Sequence, residues 1–191
     1  MNKNIKKQIT KAIESHKRLV EETAGKIETI ADVAEVITKT LRRNGRIYLC
    51  GNGGSAADAQ HIAGELVGRF ERERRGLAAV ALTTDTSVIT AIANDYGYEN
   101  AYKRQVEALV RKGDVLWAIS TSGRSANIVE AAKLAKKKGA ILVAFTGIAA
   151  SPLERMADVC FCANDKSTAR TQEIHQIAYH IICQIVEGNF A

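Results

Sequence analysis

A single proline, Pro152, punctuates the 191 residues, and aromatic side chains make up only 5% of them. So few rings argue against a surface that binds nucleic acid by stacking bases among basic residues. No stretch approaches the roughly 18 uninterrupted apolar residues of a membrane span. The basic start, Met1 to Lys7, is not followed by the apolar core of a signal peptide. The chain is therefore expected in the cytoplasm. Its four cysteines, Cys50, Cys160, Cys162 and Cys183, lie inside apolar segments and not at the spacings of a disulfide scaffold, so buried reduced thiols are expected. Cys160 and Cys162 share one face of a strand, but no second Cys/His pair is spaced to complete a zinc site with them. Internal repeats, low-complexity segments and linkers are missing as well.

What is present fits one folded domain. Hydrophobic residues are 46% and charged residues 25%, near the average for soluble proteins, and the length is enough to bury a core without staples. The formal charge of +6 includes the run Lys136-Lys137-Lys138, which closes a helical segment where cations suit the dipole. Mild basicity also suits an anionic small substrate. From Ile5 to about Leu41, apolar residues recur at helical spacing, predicting a helical arm over 1–44 of one or two long helices. Such an arm buries its stripe on its own domain or in a bundle with another subunit.

After the stop at Asn44-Gly45, short apolar runs alternate with helical stretches over 45–191, the pattern of an α/β fold with a parallel sheet. Five strands are expected at 46–50, 78–82, 114–119, 140–146 and 158–163. Helices are expected between them at 56–69, 87–93, 100–110, 125–138 and near Leu153, with a last one at 171–187. Pro152 suits a loop or a helix's first turn.

In such sheets ligands bind beyond the carboxyl ends of the strands. The third strand runs into Ser120-Thr121-Ser122-Gly123-Arg124-Ser125 and directly into a helix, which gathers four hydroxyls and a glycine at a helix N-terminus. Ser125 alone would be an ordinary N-cap, but four hydroxyls exceed what a cap needs and favour a phosphate cradle. The first strand ends in Gly51-Asn52-Gly53-Gly54-Ser55-Ala56, which formally satisfies the G-x-G-x-x-A dinucleotide fingerprint. The acidic residue that this fingerprint requires is misplaced, because the second strand reaches Asp85 about ten residues late. A sugar phosphate spanning the two loops is the simpler ligand. His61 and Glu65, four apart on the following helix, face the same side and can share a metal ion. On the last helix, Gln172, Gln176 and His180 flank an apolar stripe. Gln172 and His180 lie about 12 Å apart along the axis.

The Gly-Asn-Gly-Gly-Ser and Ser-Thr-Ser-Gly-x-Ser loops resemble those of the SIS (sugar isomerase) fold, a flavodoxin-like α/β/α three-layer sandwich. With Ala-Gln-His-x-x-x-Glu, Asn-Asp and Gln-Glu-x-His, the chain over nearly its whole length resembles the phosphoheptose isomerases. That resemblance implies zinc held at His61, Glu65, Gln172 and His180. It implies substrate contacts at Asn52, Gly53, Gly54, Ser55, Glu65, Asn94, Asp95, Ser120, Thr121, Ser122, Ser125 and Gln172. It also implies a homotetramer with sites between subunits, in which Glu65 is the base and His180 its acid partner. The implied reaction converts sedoheptulose 7-phosphate to D-glycero-D-manno-heptose 7-phosphate, the first step toward nucleotide-activated heptose for lipopolysaccharide or another glycan. Ala169 departs from relatives that carry an acidic residue there. His16 and His175 match no functional position and are expected to be structural. A non-catalytic SIS protein that binds the replication initiator, a sugar-phosphate sensor and an isomerase of another sugar phosphate are the alternatives. Glu65, Gln172 and His180 together favour the enzyme, since a pure binding protein needs no base, acid and metal set.

Overall fold

The computed structural model describes residues 2–191. Five parallel strands, β1 Ile47–Cys50, β2 Ala79–Ala81, β3 Val115–Ser120, β4 Ile141–Thr146 and β5 Val159–Cys162, lie in the order β2-β1-β3-β4-β5. All five begin one residue later than the hydrophobic pattern suggests. At two of these entrances an aspartate takes up backbone donors. Asp114 accepts from the N–H of Arg46 and Arg111, and Asp158 accepts from that of Leu142.

Alternation along the strands divides the core into two layers. Leu49, Trp117 and Phe145 point to one face, where they meet α2 Ile27–Arg42, α3 Gly54–Val67 and α8 Thr168–Gly188. Tyr48, Leu116 and Ala144 point to the other, against α5 Ala101–Leu109, α6 Ala126–Lys137 and α7 Pro152–Met156. With α4 Thr86–Tyr96 added, the three expected layers are complete. Helix starts shift both ways: α3, α4 and α8 begin early, α5 and α6 one residue late. α8 begins three residues early because Ser167 accepts from the N–H of Arg170 and caps it there. Pro152 occupies the first turn of α7, where its missing N–H costs nothing.

The arm is two helices, α1 Lys3–Thr23 and α2, joined by a tight turn at Ala24–Lys26. α2 buries Ile30, Val33, Ile37 and Leu41 in the core, whereas α1 is pinned mainly by polar contacts. Arg170 donates to the Ala12 carbonyl at 3.0 Å, His16 pairs with Glu173 at 2.8 Å, and Arg18 pairs with Asp165 at 3.2 Å. Ile5, Ile9 and Ile13 remain about half exposed, at 49%, 49% and 51%. No helix among the described residues is long and apolar enough to cross a membrane. All four cysteines are free thiols; burial raises the pKa of Cys50, Cys160 and Cys183 to about 12.

Candidate active site

The strand order reverses direction between β1 and β3, and the loops leaving these two strands enclose a cavity of about 280 Å³. Asn52, Gly53, Gly54 and Ser55 form one wall and Ser120, Thr121 and Ser125 another, while Gln172 and Thr168 close it from α8. Three helix N-termini therefore converge here: α3 starts at Gly54, α6 follows Ser125, and α8 starts at Thr168. Each turns the positive end of its dipole toward the cavity, a setting that suits an oxyanion. The ordinary capping role of Ser125 is not observed. Its hydroxyl makes no bond to the first turn of α6 and instead lies 3.2 Å from that of Ser120.

The backbone explains the glycines. Gly53 has φ +55°, a conformation that side chains disfavour. A Cβ on Gly54 would collide with the Gln172 amide. The cradle thus depends on close approach between the β1 loop and α8. Asn52 is braced rather than free, since its amide and that of Asn127 exchange hydrogen bonds of 2.9 and 2.8 Å, and Tyr98 donates to it at 3.1 Å. Ser122 lies outside this cavity and lines a smaller neighbouring one, its hydroxyl accepting from the N–H of Arg124. Asn94 and Asp95 are also outside the lining, at the exposed end of α4, where the Asn94 amide donates to Asp95 at 2.8 Å. Asp85, which a dinucleotide would have to recruit, is occupied in capping α4 through the Val88 N–H.

The ionisable group lies further along α3. His61 Nε2 is 2.9 Å from Glu65 Oε1 and 3.5 Å from His180 Nε2, and the ligand atoms of the three residues all fall within 4.8 Å of one another. Two imidazoles and a carboxylate converging at such distances suit a borderline divalent cation. Burial, followed by the nearby His61, lowers the His180 pKa below the usual imidazole value and favours its neutral form. Gln172 approaches α3 at its N-terminal end. It stands against Gly54, and seven residues separate Gly54 from His61, about 10 Å at a helical rise of roughly 1.5 Å per residue.

Three features here were not read from the sequence. Thr168 was assigned no role, although a hydroxyl opening a helix is a recognisable signal. Tyr179 places its hydroxyl 3.0 Å from His61 Nδ1, and Asp58, one turn before His61, buries Oδ2 without a hydrogen-bond partner. Burial pushes the Asp58 carboxyl up to about 6, with His61 and the Tyr179 hydroxyl pulling the other way. Of the two histidines expected to be structural, His175 is fully buried with Nε2 3.0 Å from the Thr146 carbonyl, and His16 pairs with Glu173. Beside the site, Glu187 is buried and accepts from the N–H groups of Phe70, Glu71 and Arg72 at 2.7 to 2.8 Å. Arg74 donates to the Glu65 carbonyl at 2.6 Å, so the chain leaving α3 is tied down at both ends.

A switch-point cavity built from hydroxyl and glycine loops, with two histidines and a glutamate clustered along α3 and α8, fits the class of SIS-domain proteins. The SIS domain family model matches residues 9–147. The chain is 51% identical over 180 residues to the phosphoheptose isomerase of Roseiflexus sp. (strain RS-1), covering 94% of this chain and 90% of that one. It is 43% identical over 182 residues to phosphoheptose isomerase 1 of Campylobacter jejuni, covering 95% and 98%. Its structure overlays that of the phosphoheptose isomerase from Neisseria gonorrhoeae with a TM-score of 0.91 at 40% identity, covering 96% of this chain and 99% of the other. The chain belongs to the phosphoheptose isomerase family of SIS-domain enzymes.

Proposed function

We propose that the protein interconverts sedoheptulose 7-phosphate and D-glycero-D-manno-heptose 7-phosphate through an enediol, as the opening step of heptose activation. The observation that carries this reading is the spacing of the two centres. Three helix N-termini meet at one cavity, and His61, Glu65 and His180 cluster about 10 Å away along α3. At about 1.2 Å per bond, the advance of an extended chain, the eight bonds from C1 to the phosphorus of a heptose 7-phosphate also span about 10 Å. With the phosphate in the cradle, C1 and C2 reach the ionisable trio.

Glu65 takes the proton from C1 and delivers one to C2, while neutral His180 gives its ring N–H proton to the C2 oxygen and recovers one from the C1 hydroxyl, so each group ends as it began. A divalent cation, zinc in this reading, would be held by His61, Glu65 and His180 with Gln172 and would supply positive charge beside the developing enediolate oxygen. Gln172, the fourth member of the expected metal set, also lines the cavity beside Gly54, so it is read as serving both cation and substrate. Asn94 and Asp95 join the site if α4, which buries none of its residues in the single chain, is drawn in when substrate or a neighbouring subunit covers it. The full chain 1–191 is read as one SIS domain, working in the cytoplasm as a homotetramer with sites closed between subunits. Its half-exposed α1 isoleucines support that reading. The test is NMR of sedoheptulose 7-phosphate with zinc-loaded protein in D₂O. Aldose signals with deuterium at C2 are expected, and an unchanged ketose spectrum would refute the assignment.

A further inference from the structure

We infer that Tyr179 is a positioning residue for His61, its hydroxyl and the Asp58 carboxyl behind it holding the ring with Nε2 turned to Glu65 and His180 and serving Nδ1 in either tautomer. The geometry stands apart from the cation reading above; only its consequence for metal affinity rests on that reading. His61 has a side chain 40% exposed, so packing alone does not fix its ring. Hydrogen bonds at both nitrogens do: Nε2 to Glu65 at 2.9 Å and Nδ1 to Tyr179 at 3.0 Å. Tyr179 is itself immobile, 1% exposed, its ring edge-on to those of His61 and His180 with centroids 5.5 and 4.8 Å away.

The hydroxyl matters because the two states of His61 make opposite demands on it. Without a cation, Nε2–H donates to the Glu65 carboxylate, so Nδ1 carries a lone pair and accepts from the Tyr179 O–H. A cation on Nε2 needs that lone pair, and the proton then resides on Nδ1. The Tyr179 oxygen must now accept, and its own hydrogen is free to turn to Asp58, whose buried Oδ2 has no hydrogen-bond partner. His61 gains and loses no net proton; the proton changes nitrogen by exchange with water. A hydroxyl both donates and accepts, so it satisfies Nδ1 throughout, and a ring nitrogen held in this way is what metal-ligating histidines require of their surroundings.

Tyr179→Phe keeps the ring and removes only the hydroxyl, and Asp58→Asn provides an independent probe on the outer partner. Zinc titration of the full-length protein against a chelator should show roughly 10- to 100-fold weaker binding for Tyr179→Phe, with a smaller loss for Asp58→Asn. ¹⁵N-histidine NMR of the metal-free proteins should show His61 as the single Nε2–H tautomer in the parent and as a mixture in Tyr179→Phe, a change that loss of packing alone would not produce. Parent affinity in both variants with an unchanged His61 spectrum would overturn the inference while leaving the cation reading intact. A parent that binds no zinc would remove the cation reading, and the tautomer spectra would still decide the role of Tyr179.

Discussion

At the scale of single residues, Glu65 and His175 make opposite use of their surroundings. Glu65 is partly open, with one oxygen on His61. Positioned acid/base groups contribute about 10² to 10⁴ in rate, so Glu65→Gln should lose turnover by that factor while steady-state binding of sugar phosphate changes little. Retention of the parent rate would pass the role of base to Asp95. His175 is closed off. Burial drives its pKa down to about 4, the Thr146 carbonyl opposing only in part, and Nδ1 has no partner. The unfolded chain takes up this proton near pH 6.5 and the folded one only near 4, so stability is full above about 6.5 and falls as pH drops toward 4. Across that interval the effect amounts to roughly 3 kcal/mol. Urea melts from pH 7 to pH 4 should show this decline, and it should be reduced in His175→Asn. An equal pH slope in the two proteins would discount the histidine.

At the scale of elements, the turn between β3 and α6 does two jobs with different hydroxyls. Ser120 and Ser125 face the cavity and each other at 3.2 Å, whereas Ser122 stabilises the turn by accepting from the Arg124 N–H. A phosphate bound by charge-assisted hydrogen bonds loses about 1.5 to 3 kcal/mol per bond removed. The double variant Ser120→Ala, Ser125→Ala should therefore weaken sugar-phosphate affinity by at least tenfold in calorimetry, and Ser122→Ala should affect thermal stability more than affinity. The reverse ranking would place the phosphate in the smaller neighbouring cavity lined by Ser122.

For the whole molecule, the arm poses the main energetic question. α2 seals one face of the sheet, but the first four turns of α1 bury nothing, and Ile5, Ile9 and Ile13 form a row at i, i+4, i+8 with half their surface in water. Covering a Val, Leu or Ile side chain contributes about 1.5 to 3 kcal/mol, so a row of three favours association of copies into a closed assembly. Ile5→Lys, Ile9→Lys and Ile13→Lys together should lower the mass seen by light scattering from that of a tetramer. The far-UV spectrum should persist, because Arg170, Glu173 and Asp165 still hold α1 to its own chain. A parent protein that scatters as an active monomer at all concentrations would refute the assembly.

Local periodicity was enough to determine the five strands, the helices between them and the pairing of His61 with Glu65, because alternation and i, i+4 spacing depend only on neighbours in the chain. The hydroxyl loop announced itself in the same way, as four side chains and a glycine too many for a cap. The surroundings of each group depended on contacts between segments far apart in sequence. Thr168 and Gln172 reach the cradle only because α8 runs beside α3, and Asn52 is braced by Asn127, 75 residues later. Tyr179 meets His61 across 118 residues. The order of residues along each element specifies which faces are apolar, but only the packing of distant elements, α3 against α8 above all, decides which polar groups those faces bring together.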